Sequence, residues 1–130
     1  MTEIVWLTRE LVVAIHGEQL RRFGGPEGLR DQGMLESALG RPMNKHPYEA
    51  VDLADLAAAY AFGIARNHPF VDGNKRAALL SLIVFLGLNG VDFVVPEPEA
   101  VVAIQTLAAG TLSEAGLALW IRDRIGGITR

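Results

Sequence analysis

No cysteine occurs among the 130 residues, so disulfides and thiolate metal sites are excluded. An excess of charge is missing too. The formal net charge is −3, which gives no general attraction to nucleic acid or to an anionic membrane. The apolar stretch from Ala77 to Leu88 is too short to span a bilayer. Met1-Thr2-Glu3-Ile4-Val5-Trp6 has neither the basic start nor the long apolar core of a signal peptide. There are no repeats, linkers or low-complexity segments, and no Gly-x4-Gly-Lys-Ser/Thr phosphate loop. These absences leave a cytoplasmic protein with no membrane partner and no DNA binding by this chain alone. Half of the residues are apolar, and the length suits one domain over residues 1–130 with a single core.

The polar chemistry is concentrated in nine residues, His68-Pro69-Phe70-Val71-Asp72-Gly73-Asn74-Lys75-Arg76. They lie between two apolar segments, Leu53 to Ala65 and Ala77 to Leu88. That is the layout of a site held on a rigid frame. Upstream, Ile4-Val5-Trp6-Leu7 is β-prone, and Thr8 caps a helix that ends near Phe23, with Leu11, Ile15 and Leu20 along one side. Gly24-Gly25-Pro26 stops it. After the loop Gly28-Leu29-Arg30-Asp31, Asp31 caps a short helix closed by Arg41-Pro42. Residues 42–51, with two prolines, read as an exposed flap. Asp52 caps an alanine-rich, mostly buried helix of roughly 53–66.

The next helix is expected to start near Asn74 as its N-cap and to run to Asn89. Being apolar nearly all round, it reads as the central helix. Val91-Asp92-Phe93-Val94-Val95 is a second β-prone run, placed to pair with Ile4–Leu7. A helix of roughly 98–109 follows, ended by Gly110, and Ser113 caps the last one. The expected fold is an all-α helical bundle with a minor two-stranded β element and the motif loop between two central buried helices.

A helix N-terminus offers unpaired amides and the positive end of the dipole, and so attracts anions. Gly73 lets backbone approach a ligand closely, and Lys75 and Arg76 add positive charge. Asp72 suits a Mg²⁺ ion that bridges phosphate oxygens. His68 suits a base that takes a proton from an attacking hydroxyl. Each residue also has a plainer reading. A histidine at a helix end is commonly solvated, Asp72 and Asn74 are ordinary capping types, and Lys75-Arg76 can be a solvated pair. Cations at a helix start oppose the dipole, however, and a bound anion would resolve that opposition. Phe70 reads as a core anchor beneath the loop. His16 and His46 have no partner at ligand spacing and receive no role.

The nine residues resemble the signature of the Fic/Doc superfamily, His-x-Phe-x-(Asp/Glu)-(Gly/Ala)-Asn-(Gly/Lys)-Arg. Phe23-Gly24-Gly25, Gly28-Leu29-Arg30-Asp31, Leu35-Glu36-Ser37-Ala38-Leu39 and Phe85-Leu86-x-x-Asn89-Gly90 resemble its Doc branch. The resemblance implies the Fic helical fold with a minor β-hairpin flap. It matches His68 to the catalytic base and Asp72 to the Mg²⁺-associated acid. Gly73 and Asn74 match the anion-binding turn, and Lys75 and Arg76 match the residues that hold nucleotide phosphates. AMP-transferring members have Gly after the Asn and a second Arg three residues beyond the first. Lys75 and Leu79 stand in those places, as in the Doc pattern. One departure from Doc is Gly73, where Doc has Ala.

The resemblance thus implies a toxin of a type II toxin–antitoxin pair. It would transfer the terminal phosphate of ATP, with Mg²⁺, to a Ser or Thr hydroxyl. The implied target is translation elongation factor Tu, and the implied outcome is arrest of protein synthesis. The alternatives are an AMP transferase with the same site, transfer of another phosphate-containing group, and a catalytically silent Fic-fold binding module. No Ser or Thr has the Glu four residues on that marks the internal inhibitory motif of AMP-transferring relatives. Control is therefore expected from outside this chain, and the Doc resemblance implies an antitoxin protein whose C-terminal segment folds on binding. The flap from Lys45 to Tyr48 is expected, by analogy, to dock the target backbone as an added strand.

Overall fold

The structure, a computed structural model, describes residues 3–46 and 51–126. Six helices are found among them: α1 (Arg9–Phe23), α2 (Gln32–Lys45), α3 (Leu53–Asn67), α4 (Asn74–Leu88), α5 (Glu97–Ala109) and α6 (Glu114–Gly126). The all-α architecture is as expected. No helix among the described residues is long and apolar enough to cross a membrane.

Helix α3 is the axis of the bundle. Its start is fixed by a reciprocal cap, in which the Asp52 side chain accepts from Asp55 N–H and the Asp55 side chain accepts from Asp52 N–H. Alanine gives it high helix propensity and little girth. Ala57, Ala58, Ala59, Tyr60 and Ala61 are all fully buried, and α2, α4, α5 and α6 pack around it. At Gly63 an added Cβ would lie 3.0 Å from Cα of Ala38, so a side chain there would push α2 away. Helix α4 is less enclosed than expected. Ala77, Ala78, Ser81, Leu82, Phe85 and Leu86 are buried, while Leu79, Ile83 and Val84 are half-buried and Leu88 is exposed.

Other expectations change as well. Helix α2 does not stop at Arg41-Pro42 but runs to Lys45 through Pro42. A proline in the last turn removes only one helical hydrogen bond, and here the ring is buried while Pro42 C=O accepts from His46 N–H at 3.0 Å. The expected flap is therefore helical at its start, and residues 47–50, including Tyr48, lie outside the described residues.

The two-stranded β element is not found among the described residues. Residues 4–7 and 91–95 are irregular, and the described residues hold only an isolated bridge between Leu29 and Phe70. A side chain takes the place of the partner strand. The Asn89 carboxamide accepts from Val5 N–H at 2.8 Å and donates to Val5 C=O at 2.9 Å. Leu7 N–H donates to the buried Tyr60 hydroxyl at 3.0 Å.

On α1 the buried stripe is Val12, His16 and Gln19, whereas the expected Leu11, Ile15 and Leu20 are its half-buried flanks. Two polar residues face inward because that side of α1 meets α4 and the motif loop rather than pure hydrocarbon.

Candidate active site

The motif occupies the turn from α3 into α4. His68 closes α3 in a left-handed conformation, φ 50° and ψ 56°, and is the one non-glycine residue with positive φ among those described. Such a conformation costs roughly 1–2 kcal/mol for a residue with a Cβ. Pro69 follows and disfavours the helical alternative at His68. Arg30 holds the result in place, donating from Nε to His68 C=O at 2.6 Å and from Nη2 to Asn67 C=O at 2.8 Å. A guanidinium on the last carbonyls of a helix also complements its dipole.

The loop 28–31 is stitched to the motif along its length. Arg30 N–H and Asp31 N–H donate to Pro69 C=O at 2.6 and 3.0 Å, and Val71 N–H donates to Gly28 C=O at 3.0 Å. Phe70, only 2% exposed, anchors the turn from below as expected. Its ring stacks on His16 with centroids 3.8 Å apart and planes 7° off parallel. Nothing in the local pattern indicates that His16, 54 positions before its partner ring, is part of this site. His46 lies elsewhere, edge-on to Trp6.

Asn74 does not cap its helix as expected. Gly73 is the N-cap, with φ 80°, and no side chain bonds to the amides of the first turn. The Asn74 carboxamide turns back instead, accepting from Phe70 N–H and donating to Phe70 C=O, both at 3.0 Å. It locks the loop shut and leaves the positive end of α4 uncapped. This arrangement favours anion binding, because the amides that a capping side chain would have used remain available to a ligand.

His68, Val71, Asp72, Gly73, Asn74, Lys75 and Arg76 line one cleft of about 320 Å³. All six expected site residues therefore come together. The side chains of His68, Asp72, Lys75 and Arg76 are exposed. Among the described residues neither Lys75 nor Arg76 is paired with a carboxylate. Arg76 instead lies over the Phe23 ring, 4.8 Å from its centroid. Gly25 approaches Asp72 so closely that an added Cβ would be 2.8 Å from Oδ2. No three His, Cys, Asp or Glu side chains cluster as a metal cage among the described residues. Asp72 is the one carboxylate lining the cleft. A single carboxylate fits a magnesium ion that arrives on phosphates and keeps several waters.

The family description "Fic/DOC family" matches residues 6–86, which include the whole motif, α1 to α3 and most of α4. The chain is 36% identical over 121 residues to "Protein kinase doc" of Escherichia phage P1, covering 92% of this chain and 95% of that protein. It is 45% identical over 71 residues to "Toxin Doc" of Mycolicibacterium smegmatis, covering 53% of this chain and 55% of that protein. With the motif turn, the uncapped α4 and the cleft between them already in place, these matches make the chain a member of the Fic/DOC family.

Proposed function

We propose that this protein is the toxin of a type II toxin–antitoxin pair and acts as a protein kinase, moving the γ-phosphate of ATP to a Ser or Thr hydroxyl. The observation that carries the proposal is the meeting, in one cleft, of an uncapped helix start, two cations without carboxylate partners among the described residues, an imidazole and a lone carboxylate. In the proposed reaction His68 takes the proton of the target hydroxyl. The freed oxygen bonds to the γ-phosphorus as the bond to the bridging oxygen breaks, and ADP leaves. The amides at the start of α4, with Lys75 and Arg76, stabilise the charge on the transferring group. Gly73 and Asn74 shape the turn that presents those amides. Asp72 would hold Mg²⁺, which when bound neutralises phosphate charge.

Phosphate transfer is favoured over AMP transfer by two positions. Lys75 fills space where AMP-transferring relatives have glycine, and Leu79, half-buried against the core, offers no second phosphate clamp. The relatives called "Protein kinase doc" and "Toxin Doc" support the same reading. Translation elongation factor Tu is the proposed target. An antitoxin segment that folds on binding is the proposed control.

Radiolabel tests the reaction. With purified elongation factor Tu, label from γ-labelled ATP should enter the target, and label from α-labelled ATP should not. Entry of the α-label would identify an AMP transferase instead. His68→Ala should abolish labelling and growth arrest together, and arrest that survives in that variant would identify a silent binding module.

A further inference from the structure

We propose that His16 is a positioning residue, whose ring fixes the peptide between Asp72 and Gly73 so that the Gly73 N–H serves the cleft. His16 is on α1 and only 4% exposed. Its Nε2 lies 2.6 Å from the Asp72 carbonyl oxygen. A carbonyl has no proton to give, so Nε2–H must be the donor. The stack on Phe70, 3.8 Å between centroids, holds the ring in the plane that this bond requires. The ring also lies against Gly73, since a Cβ there would be 3.5 Å from His16 Cδ2 and Nε2.

The consequence for the site follows from peptide geometry. No cis bond occurs in the described chain, and in a trans peptide the C=O and the following N–H point in opposite directions. Drawing the Asp72 carbonyl toward the buried ring turns the Gly73 N–H away from that ring, and Gly73 itself lines the cleft. Without the His16 proton, the Asp72 carbonyl would lose a buried partner and the peptide could rotate, carrying the Gly73 amide out of register with a bound anion. His16 would thus act through the backbone of the motif without touching a substrate.

The nature of the ligand rests on the proposed function, whereas the peptide orientation does not. The test compares the full chain with His16→Phe, which keeps a stacking ring but has no proton to donate, and with His16→Gln, whose amide N–H can reach the same carbonyl. The first readout needs no ligand. The Asp72 carbonyl ¹³C shift and the Gly73 amide shift should move in His16→Phe and return toward wild type in His16→Gln. The second readout is titration with ATP and Mg²⁺. Affinity should fall about tenfold in His16→Phe, in line with loss of a partly buried hydrogen bond, and recover to within about threefold in His16→Gln.

Unchanged shifts in a folded His16→Phe would overturn the inference. So would a His16→Gln variant that melts as wild type yet shows the same shifts and affinity as His16→Phe. If His16→Phe does not fold, His16→Leu takes its place in both comparisons. Failure of the wild-type protein to bind ATP with Mg²⁺ would sink the proposed function, and the ligand-free shifts would still decide the role of His16.

Discussion

Gly25 and Asp72 approach so closely that a single methyl group on Gly25 would lie 2.8 Å from Asp72 Oδ2. The Gly25 backbone, at φ 118°, is also one that a side chain rarely adopts. Gly25→Ala is therefore expected to displace the carboxylate and to cost about 1–3 kcal/mol of stability. Phosphoryl transfer should fall by about tenfold or more, since small misplacements of reacting groups have large effects. Gly17→Ala is the control, because nothing lies within 4 Å of its added Cβ and it sits within α1. It should melt slightly higher than wild type. Melting curves and transfer rates on the two variants check both statements, and a fully active Gly25→Ala would show that the close approach is incidental.

Arg30 uses two nitrogens on two successive carbonyls, those of Asn67 and His68. Lysine has one charged nitrogen on a flexible stem and cannot reproduce that fork. Arg30→Lys should lose about 1–3 kcal/mol and should reduce the rate more than the affinity for nucleotide, because the residue that shifts is His68. Steady-state kinetics with varied ATP distinguish this outcome from a rise in KM alone.

Asp52 is held well below the usual carboxylate range, chiefly by its hydrogen bonds from Arg122, at 2.7 and 3.0 Å. A depressed pKa stabilises the fold at any pH above the unfolded value, and that contribution is lost as pH falls below about 4. Asp52→Asn keeps a good N-cap for α3 but removes the charge. At pH 7 it should cost only about 0.5–1 kcal/mol, because both side chains are about half exposed, 40% and 51%, and water screens the pair. Denaturant melts from pH 7 down to pH 3 should show wild type and variant converging. A constant difference across that range would assign the loss to geometry instead of charge.

Asn89 satisfies both backbone groups of Val5 and also donates to Phe85 C=O at 2.8 Å. Asn89→Asp keeps the acceptor and loses the donors, so it should destabilise the fold by about 1–3 kcal/mol. Amide exchange of Val5 and Leu7 should rise in this variant while the centre of α3 stays protected. Uniform loss of protection would mean that the N-terminal segment and the core unfold as one unit.

Local signals in the sequence made much of this visible. Thr8, Asp31, Asp52 and Ser113 each have a short polar side chain just before a helical pattern, and all four bond to an amide three residues on. The motif residues were legible because they lie within nine positions and bring opposed charges to a helix start. The misses came from contacts that local pattern does not encode. Short β-prone runs at 4–7 and 91–95 suggested a strand pair, but one carboxamide meets Val5 instead. Asn74 is a capping type by propensity, yet the chain turns it back to Phe70. His16 and Arg30 reach the motif from 56 and 38 positions away. Nothing in the local pattern of α1 or of the 28–31 loop reveals that destination.

The carboxamide on Val5 has an effect beyond anchoring the N-terminal segment. A paired ribbon would have left outer N–H and C=O groups on which another molecule could lay a strand, which is how fibrillar growth begins. In the described part of this molecule that template is absent. Among the described residues, growth by adding strands to a ribbon of 4–7 and 91–95 has no starting edge.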